Sequence, residues 1–396
     1  MQVFRISCEL YESIEPQILQ TALNETVQIF QVYQSVLKRG LFWYYLESTS
    51  MPPIVHEENK LPCGPIYNCN RKGLLFDVSY YKNRVNLEIS HVLTDGTGAT
   101  NFLQTLITKY LFHCHCLNEQ RLLYDVSAEE LNDDSFNRYY TGPSKVKRQN
   151  RKAACLLHGR KYPEDRLKII TGLVDIGTLL EAAHCYHATL TVFLCASLMK
   201  AISETVSVRS TKRSIVLSVP VNLRNHFPSV SARNFFSLLT IEYNFWERSG
   251  TFEDIIAKIS EDFNAGLTKA SLKKGMDAHS ALEHNFFARI TPLLLKDLLL
   301  KTAYNYSERY HTAGFSNIGI ISMPNELESY IRSFDVYSGT NQLQVCMCSF
   351  QSRLSISFSS CFINSEIQRR FFRSLAELGA KIEITTNHAG DSEEPT

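Results

Sequence analysis

The sequence predicts an α+β protein built as two two-layer sandwiches joined by a polar crossover. Three observations predict it. Its 396 residues exceed what most single cores organise and suit two domains of roughly 150–200 residues each. Alternating apolar strands are interspersed with helical stripes in both halves, without the strict strand–helix alternation of a parallel sheet. Residues 141–166, "TGPSKVKRQNRKAACLLHGRKYPEDR", interrupt both patterns with a charged, turn-rich stretch. The expected division is 1–143, a linker over 144–166, and 167–396, with a polar, disordered tail from about 386, "NHAGDSEEPT".

In the first half, Phe4 and Ile6 alternate with polar neighbours as in a strand, and Pro16 marks a helix start, where its missing N–H costs nothing. Ile18, Leu19, Ala22, Leu23, Ile29, Phe30 and Tyr33 continue that helix as one stripe. "LFWYYLES" (41–48) reads as an aromatic strand whose rings enter the core, and 51–72 as a loop. Strands follow at about 73–80 and 84–91, then a helix over about 98–112. The second half reads as a strand near 167–173 and helices near 174–184 and 188–204. Strands near 214–221 and 236–243 and helices across 251–300 follow. Strands near 314–322, 331–337, 343–350 and 353–359 and a helix over about 365–380 close the chain. In 353–359, Leu354, Ile356 and Phe358 alternate with Arg and Ser, predicting one buried and one wet face.

Composition narrows the function classes. Hydrophobic residues at 44% and charged residues at 20% are ordinary for a globular chain, and the net charge of +1 supplies no global field for nucleic acid or an anionic membrane. No apolar run reaches 18 residues, so no membrane span is expected. "MQVFRISCELYESIE" lacks the basic-then-apolar layout of a secretory signal. Eleven cysteines, odd in number and unpaired in spacing, predict reduced thiols and a cytoplasmic location.

"EISHVLTDGTGAT" (88–100) concentrates the chemistry. Val85, Leu87, Ile89 and His91 share one strand face, and Arg84, Asn86, Glu88 and Ser90 the other. Asp95-Gly96 is a turn dipeptide in which Gly96 can take a positive φ, and Thr97 is placed to cap a helix starting near Gly98. Three readings of His91 and Asp95 stand at this point: metal ligands, packing at a strand–turn–helix corner, or a general base with its support. A zinc pair at i, i+4 needs a helix, which Gly96 and Gly98 interrupt. Ser90 and His91 face opposite ways and do not form a nucleophile–base pair. "FHCHC" (112–116) reads as a helix terminus, since consecutive ligands splay around a helix axis.

"HVLTDGTG" resembles the HxxxDG motif of the chloramphenicol acetyltransferase-like acyltransferases, a group that includes alcohol acetyltransferases and the condensation domains of peptide synthetases. "FRISCELYESIEPQILQTAL", "RGLFWYYLE", "LLFDVSYYKNRVNLEISHVLTDGTGA", "VPVNLRN", "RNFF" and "FSNIG" look like the bacterial alcohol acetyltransferase branch in the same order, so the resemblance spans nearly the whole chain. It implies two similar domains forming a V with a tunnel between them, and no permanently bound cofactor or metal. Its implied substrates are acyl-CoA, as the thioester co-substrate, and a small acceptor, an alcohol. His91 would be the general base, with Asp95 turned away from the tunnel to pair with Arg224, and Gly96 and Asn234 structural. Ser316 and Asn317 are placed in order for the oxyanion. A donor held on an acyl carrier protein, or a catalytically silent tunnel-binding relative, are the alternatives. The sequence departs from many relatives in having Ser90 where they have a first histidine. It also shows no counterpart of the segment that precedes "VFRIS" in that branch, which puts the edge of the first sheet in question. The basic stretch 145–152, "KVKRQNRK", is expected to be a solvated linker, with coenzyme A phosphate binding as the alternative.

Overall fold

A computed structural model describes residues 2–68, 72–116, 128–142, 152–163 and 166–387. Residues 144–151 and 164–165 of the expected linker, with its basic stretch up to residue 151, and the tail beyond 387 lie outside the described residues. The first part runs β1 (Val3–Leu10), α1 (Pro16–Ile29), β2 (Ser35–Arg39), β3 (Tyr44–Ser48), β4 (Val55–Glu57), β5 (Phe76–Tyr81), β6 (Arg84–Ser90), α2 (Gly96–His115), α3 (Ala128–Leu131) and α4 (Ser135–Tyr139). There follow β7 (Lys168–Asp175), α5 (Ile176–Cys185), α6 (Leu190–Thr205), β8 (Ile215–Asn222), β9 (Phe236–Tyr243), α7 (Phe252–Gly266), α8 (Lys269–His284), α9 (Phe286–Ile290) and α10 (Leu293–Ser307). The chain ends with β10 (Ala313–Ile320), α11 (Asn325–Glu328), β11 (Ile331–Ser338), β12 (Leu343–Phe350), β13 (Arg353–Ser360), α12 (Glu366–Glu377) and β14 (Ile382–Thr386).

Two mixed sheets organise these elements, giving the expected α+β class. The first has the order β11-β1-β6-β5-β4, and the second β14-β7-β13-β12-β10-β8-β9. The first takes its edge strand from far along the chain: β11 pairs antiparallel with β1, Phe4 facing Ser338 and Cys8 facing Phe334. β1 is therefore an inner strand, and a sheet split cleanly at 144–166 is not what forms. β12 then serves both cores. Cys346, Cys348 and Phe350 pack with the first, while Val345 and Met347, one residue out of phase, pack with the second.

Burial differs from the expectation on β13. Ser355, Ser357 and Ser359 of β13 are buried along with Leu354, Ile356 and Phe358, so neither face is wet. Glu88, Asn86 and Ser90 of β6 are buried too. Polar partners meet these buried faces, which periodicity cannot reveal: the Thr171 and Ser357 hydroxyls share a hydrogen bond, and Ser355 donates to Asp335. The Arg5 Nε donates to Glu88 Oε1 at 2.9 Å, the Cys63 N–H donates to the same oxygen at 2.6 Å, and Arg5 also pairs with Glu58.

The aromatic strand forms, but not in the core. β3 pairs with β2 as a two-stranded hairpin, and Phe42, Trp43, Tyr44 and Tyr45 stand exposed near its tip. β14, which sequence reading did not assign, pairs with β7 from Ile382 to Thr386 and ends where the expected tail begins.

Candidate active site between the two sheets

His91 lies one residue past the end of β6, where its main chain is fixed from both sides. Its N–H donates to the Gln2 carbonyl at 3.0 Å, and its carbonyl accepts from Asn234 Nδ2 at 2.7 Å. The imidazole packs on Phe4, with ring centroids 4.3 Å apart, and borders a cavity of about 840 Å³. Nδ1 is buried without a hydrogen bond of good geometry. Burial pulls the His91 pKa below its ordinary 6.5, opposed by the Asp95 charge and the Thr94 backbone. The neutral, basic form is thereby favoured.

The cavity runs between the sheets because the second sheet turns one face towards it. Ser218, Pro220 and Asn222 of β8 line it at every second position, with Phe236, Ser237 and Leu238 of β9 and Gly314, Ser316 and Asn317 of β10 beside them. The residues between them, such as Leu217, Val219 and Phe315, belong to the second core. Gln2, Phe4, Val336 and Ser338 supply the wall on the first sheet's side.

Asp95 turns the corner. It is the N-cap of α2, and its Oδ1 accepts from the Gly98 N–H at 3.0 Å. Thr97 was the expected cap. The carboxylate outcompetes it because Asp95 stands three residues before that N–H, at the positive end of a 20-residue helix. The other oxygen, Oδ2, accepts from Arg224 Nη1 at 2.8 Å and from the Phe235 N–H at 2.7 Å. The pair is nearly dry, with side-chain exposures of 9% for Arg224 and 7% for Asp95. Arg224 also donates to the Ser231 carbonyl at 2.8 and 3.1 Å and to the Arg233 carbonyl at 2.6 Å. One guanidinium thus clamps the loop between β8 and β9 onto the corner that carries His91.

Close backbone approach completes the clamp. A Cβ on Gly98 would lie 2.2 Å from Thr94 Oγ1 and 2.3 Å from the Ala232 carbonyl oxygen, while Thr94 Oγ1 itself donates to that carbonyl. Gly96 does not adopt a positive φ and is instead the first residue of α2. What it supplies is room, since a Cβ there would meet Ile318 Cδ1 at 2.5 Å.

The remaining expected residues divide. Asn234 bonds the His91 carbonyl, and its Oδ1, buried without a protein partner, borders the cavity. Ser316 lines the cavity. Asn317, the next strand residue, borders the cavity too, but its amide is bonded: Nδ2 donates to Thr191 Oγ1 at 2.9 Å and Oδ1 accepts from the Gly319 N–H at 2.8 Å. Sequence reading missed Asn222, whose Oδ1 accepts from the Arg224 N–H at 3.0 Å and whose Nδ2 donates to Thr97 Oγ1 at 3.1 Å. Its place two residues before Arg224, at a strand end, was the available signal. "FHCHC" ends α2 as expected, with His113 on Glu25 and His115 stacked on Tyr330. Among the described residues, no group of histidine, cysteine and acidic side chains could hold a metal ion, and no helix is long and apolar enough to cross a membrane.

No family model matches this sequence, and no curated protein sequence matches it. Solved structures do match, over nearly the whole chain. The first condensation domain of the calcium-dependent antibiotic synthetase aligns at a TM-score of 0.60 and 17% identity, covering 95% of this chain and 90% of that one. Polyketide synthase associated protein 5 from Mycobacterium tuberculosis aligns at 0.61 and 11%, covering 98% and 95%. The trichothecene 15-O-acetyltransferase from Fusarium sporotrichioides aligns at 0.59 and 11%, covering 95% and 90%. The chain therefore has the fold shared by condensation domains and chloramphenicol acetyltransferase-like proteins, with both sheets included.

Proposed function

We propose that the protein is an acyltransferase that moves an acyl group from a coenzyme A thioester to an alcohol, with His91 as general base. The observation that carries this reading is the division of labour at the corner. His91 and Asp95 both border the cavity between the two sheets, but the Asp95 oxygens are spent on Arg224, Phe235 and Gly98. A metal pair or a substrate-binding pair would need both side chains free for one ligand, and both Asp95 oxygens are already taken. The fold shared with an acetyltransferase and a condensation domain agrees with it.

In the proposed reaction the acceptor hydroxyl gives its proton to His91 Nε2 as its oxygen attacks the thioester carbonyl carbon. The new C–O bond forms, the tetrahedral intermediate collapses with cleavage of the C–S bond, and the proton passes from His91 to the departing thiolate. No covalent acyl-enzyme is required. A pKa below 6.5 keeps the base neutral at physiological pH. Ser316 is the side chain on the cavity wall proposed to donate to the oxyanion. The scattered thiols agree with a cytoplasmic setting: Cys8, Cys195 and Cys348 are buried, and burial drives their pKa values well up, which makes them poor nucleophiles.

The test is thiol release from a panel of acyl-CoA thioesters offered with alcohols and amines, beside His91→Ala. Turnover that falls roughly 10²–10⁴-fold in the variant is expected. A folded His91→Ala protein with near-full activity would remove histidine from the mechanism. Activity only with acyl groups loaded on a carrier protein would replace coenzyme A as donor.

A further inference from the structure

The cavity is uneven in charge. Among the described residues no lysine or arginine lines it, and of its two acids Asp95 is held by Arg224, while Glu308 has no ion-pair partner. Glu308 opens the short turn Glu308–Tyr310 after α10, and Tyr304 and His311, four residues before it and three after, line the cavity with it. Tyr304 does not neutralise the acid: burial and the neighbouring carboxylate push its phenol up to about 12, so it stays uncharged. Two glutamines border the same end. β10 and β12 pair in parallel with Gly314 level with Gln344, and that register carried back two residues puts Gln342 beside Thr312. Gln344 Nε2 donates to the Val345 carbonyl at 3.2 Å, which turns Oε1 over Gly314, where a Cβ would stand 1.8 Å from that oxygen. Gln342 Oε1 is buried without a protein partner. A carboxylate and two amide oxygens thus face this end as acceptors, and no lysine or arginine among the described residues answers them.

We propose that this end of the cavity is a cation subsite, and that the acyl acceptor is an amino alcohol whose ammonium sits at Glu308 while its hydroxyl meets His91. The acceptor assignment rests on the acyl-transfer reading above; the cation subsite does not. An ammonium carries three N–H donors and no acceptor, which matches a carboxylate accompanied by two amide oxygens. The same chemistry decides which substrate enters here. Coenzyme A phosphates are held by lysine, arginine or helix N-termini, and an unpaired carboxylate repels them, so this end takes the acceptor and not the anionic head of the donor. β10 sets the reach. It runs from Gly314 at the subsite to Ile318, whose Cδ1 a Cβ on Gly96 would meet at the His91 corner. Four residues of strand span about 13 Å at roughly 3.3 Å per residue, so ammonium and hydroxyl belong to opposite ends of an extended chain. Phe236, Leu238 and Val336 on the cavity wall suit the methylenes of such a chain.

The full-length protein is assayed for thiol release from acyl-CoA with three acceptors of equal length, ω-aminooctanol, nonanol and ω-hydroxynonanoate, beside Glu308→Gln and Glu308→Lys. Glu308 is half-buried at the end of a helix, so both variants should melt at the wild-type temperature. Wild type should prefer the amino alcohol to the hydroxy acid roughly a hundredfold in kcat/KM, chiefly through KM, because the subsite acts on binding and not on the reacting bond. Glu308→Gln should lower the ratio of amino alcohol to nonanol roughly tenfold, and Glu308→Lys should turn the preference towards the hydroxy acid. The product should be an ester with a free amine. Ratios unchanged by either substitution, or a wild type that favours the hydroxy acid, overturn the cation subsite, and an amide product overturns the placement of the ammonium. Binding of ω-aminooctanol without thioester is read by calorimetry. Binding that Glu308→Gln weakens, with no thiol released to any acceptor, would refute the acyl-transfer reading and leave the cation subsite standing. Neither binding nor thiol release would overturn the subsite as well.

Discussion

The Asp95 carboxylate meets the Arg224 guanidinium at 2.8 Å, and the two come from opposite sides of the interface between the sheets. Asp95 opens α2 behind the first sheet, and Arg224 follows β8 of the second. Because both are nearly dry, their attraction is weakly screened and their desolvation is large, so neither is tolerable without the other. The contact joins the cavity's two walls at the turn that aims His91.

Removing one partner should therefore destabilise the protein. Asp95→Ala strands the Arg224 charge and also leaves the Phe235 and Gly98 N–H groups without their acceptor. A cost of about 3–5 kcal/mol is expected for either single substitution, read from denaturant midpoints. The double variant should be little worse than the worse single one, because the first substitution already spends the coupling. Strict additivity would show that the two side chains act independently.

The reach of sequence reading is visible in these residues. Secondary structure followed from periodicity, and β8, β9, β11, β12 and β13 fall close to their expected limits. The Asp95–Arg224 pair followed from resemblance alone, since 129 positions separate the two and no local pattern joins them. Tertiary covering escaped both routes. Alternation in β13 predicted a wet face, yet Ser357 is fully buried, because alternation reports side-chain direction and not what lies opposite. The hairpin's aromatics were expected inside because aromatic residues usually are. Lys296 of α10 instead holds their tip on the surface, a contact spanning more than 250 positions. At Gly96 the turn pattern was right and the reason wrong: the residue supplies space against Ile318, not a left-handed backbone.

The pH profile should report the buried imidazole. Because the His91 pKa lies below 6.5, the acid limb of kcat/KM should fall at a pH below 6.5. Asp95 raises that pKa, so Asp95→Asn should move the limb further towards acid. Stability carries the same sign. Between its folded pKa and 6.5, His91 binds fewer protons folded than unfolded, so stability is lost as pH falls through that window and levels off below it. His91→Gln should flatten this part of the curve. A limb above 6.5 would show that the Asp95 charge outweighs burial.

Two glycines at the corner should respond differently to an added methyl group. In Gly98→Ala the Cβ meets the Ala232 main chain, which the Thr94 hydroxyl and the Leu131 carbonyl hold in place. Relief requires the two backbones to part, and a loss of roughly 1–3 kcal/mol is expected. In Gly96→Ala the obstacle is the far end of the Ile318 side chain, which can rotate away at small cost. Ile318 lines the cavity, so that variant should keep its melting temperature while shifting KM. Comparable destabilisation of both would show that Ile318 yields no more easily than the Ala232 main chain, since helix propensity alone favours alanine over glycine.

Ser316 and Asn317 are neighbours on β10 whose side chains are committed differently, and substitution should separate them. Both border the cavity. The Asn317 amide bridges Thr191 of α6 and the Gly319 N–H, where the pairing of β10 with β12 shifts register. If Ser316 donates to the oxyanion, Ser316→Ala should lower kcat by roughly 10²–10³-fold at nearly unchanged KM and melting temperature, since the bond forms only as negative charge develops. Asn317→Ala should act through structure: it frees the Gly319 turn and should lower the melting temperature, with kcat changed far less. Ser316→Thr, which keeps the hydroxyl, should recover part of the lost rate, whereas Ser316→Cys should not, because a thiol is a weak donor. A Ser316→Ala enzyme with wild-type kcat would assign the oxyanion to another donor on the cavity wall.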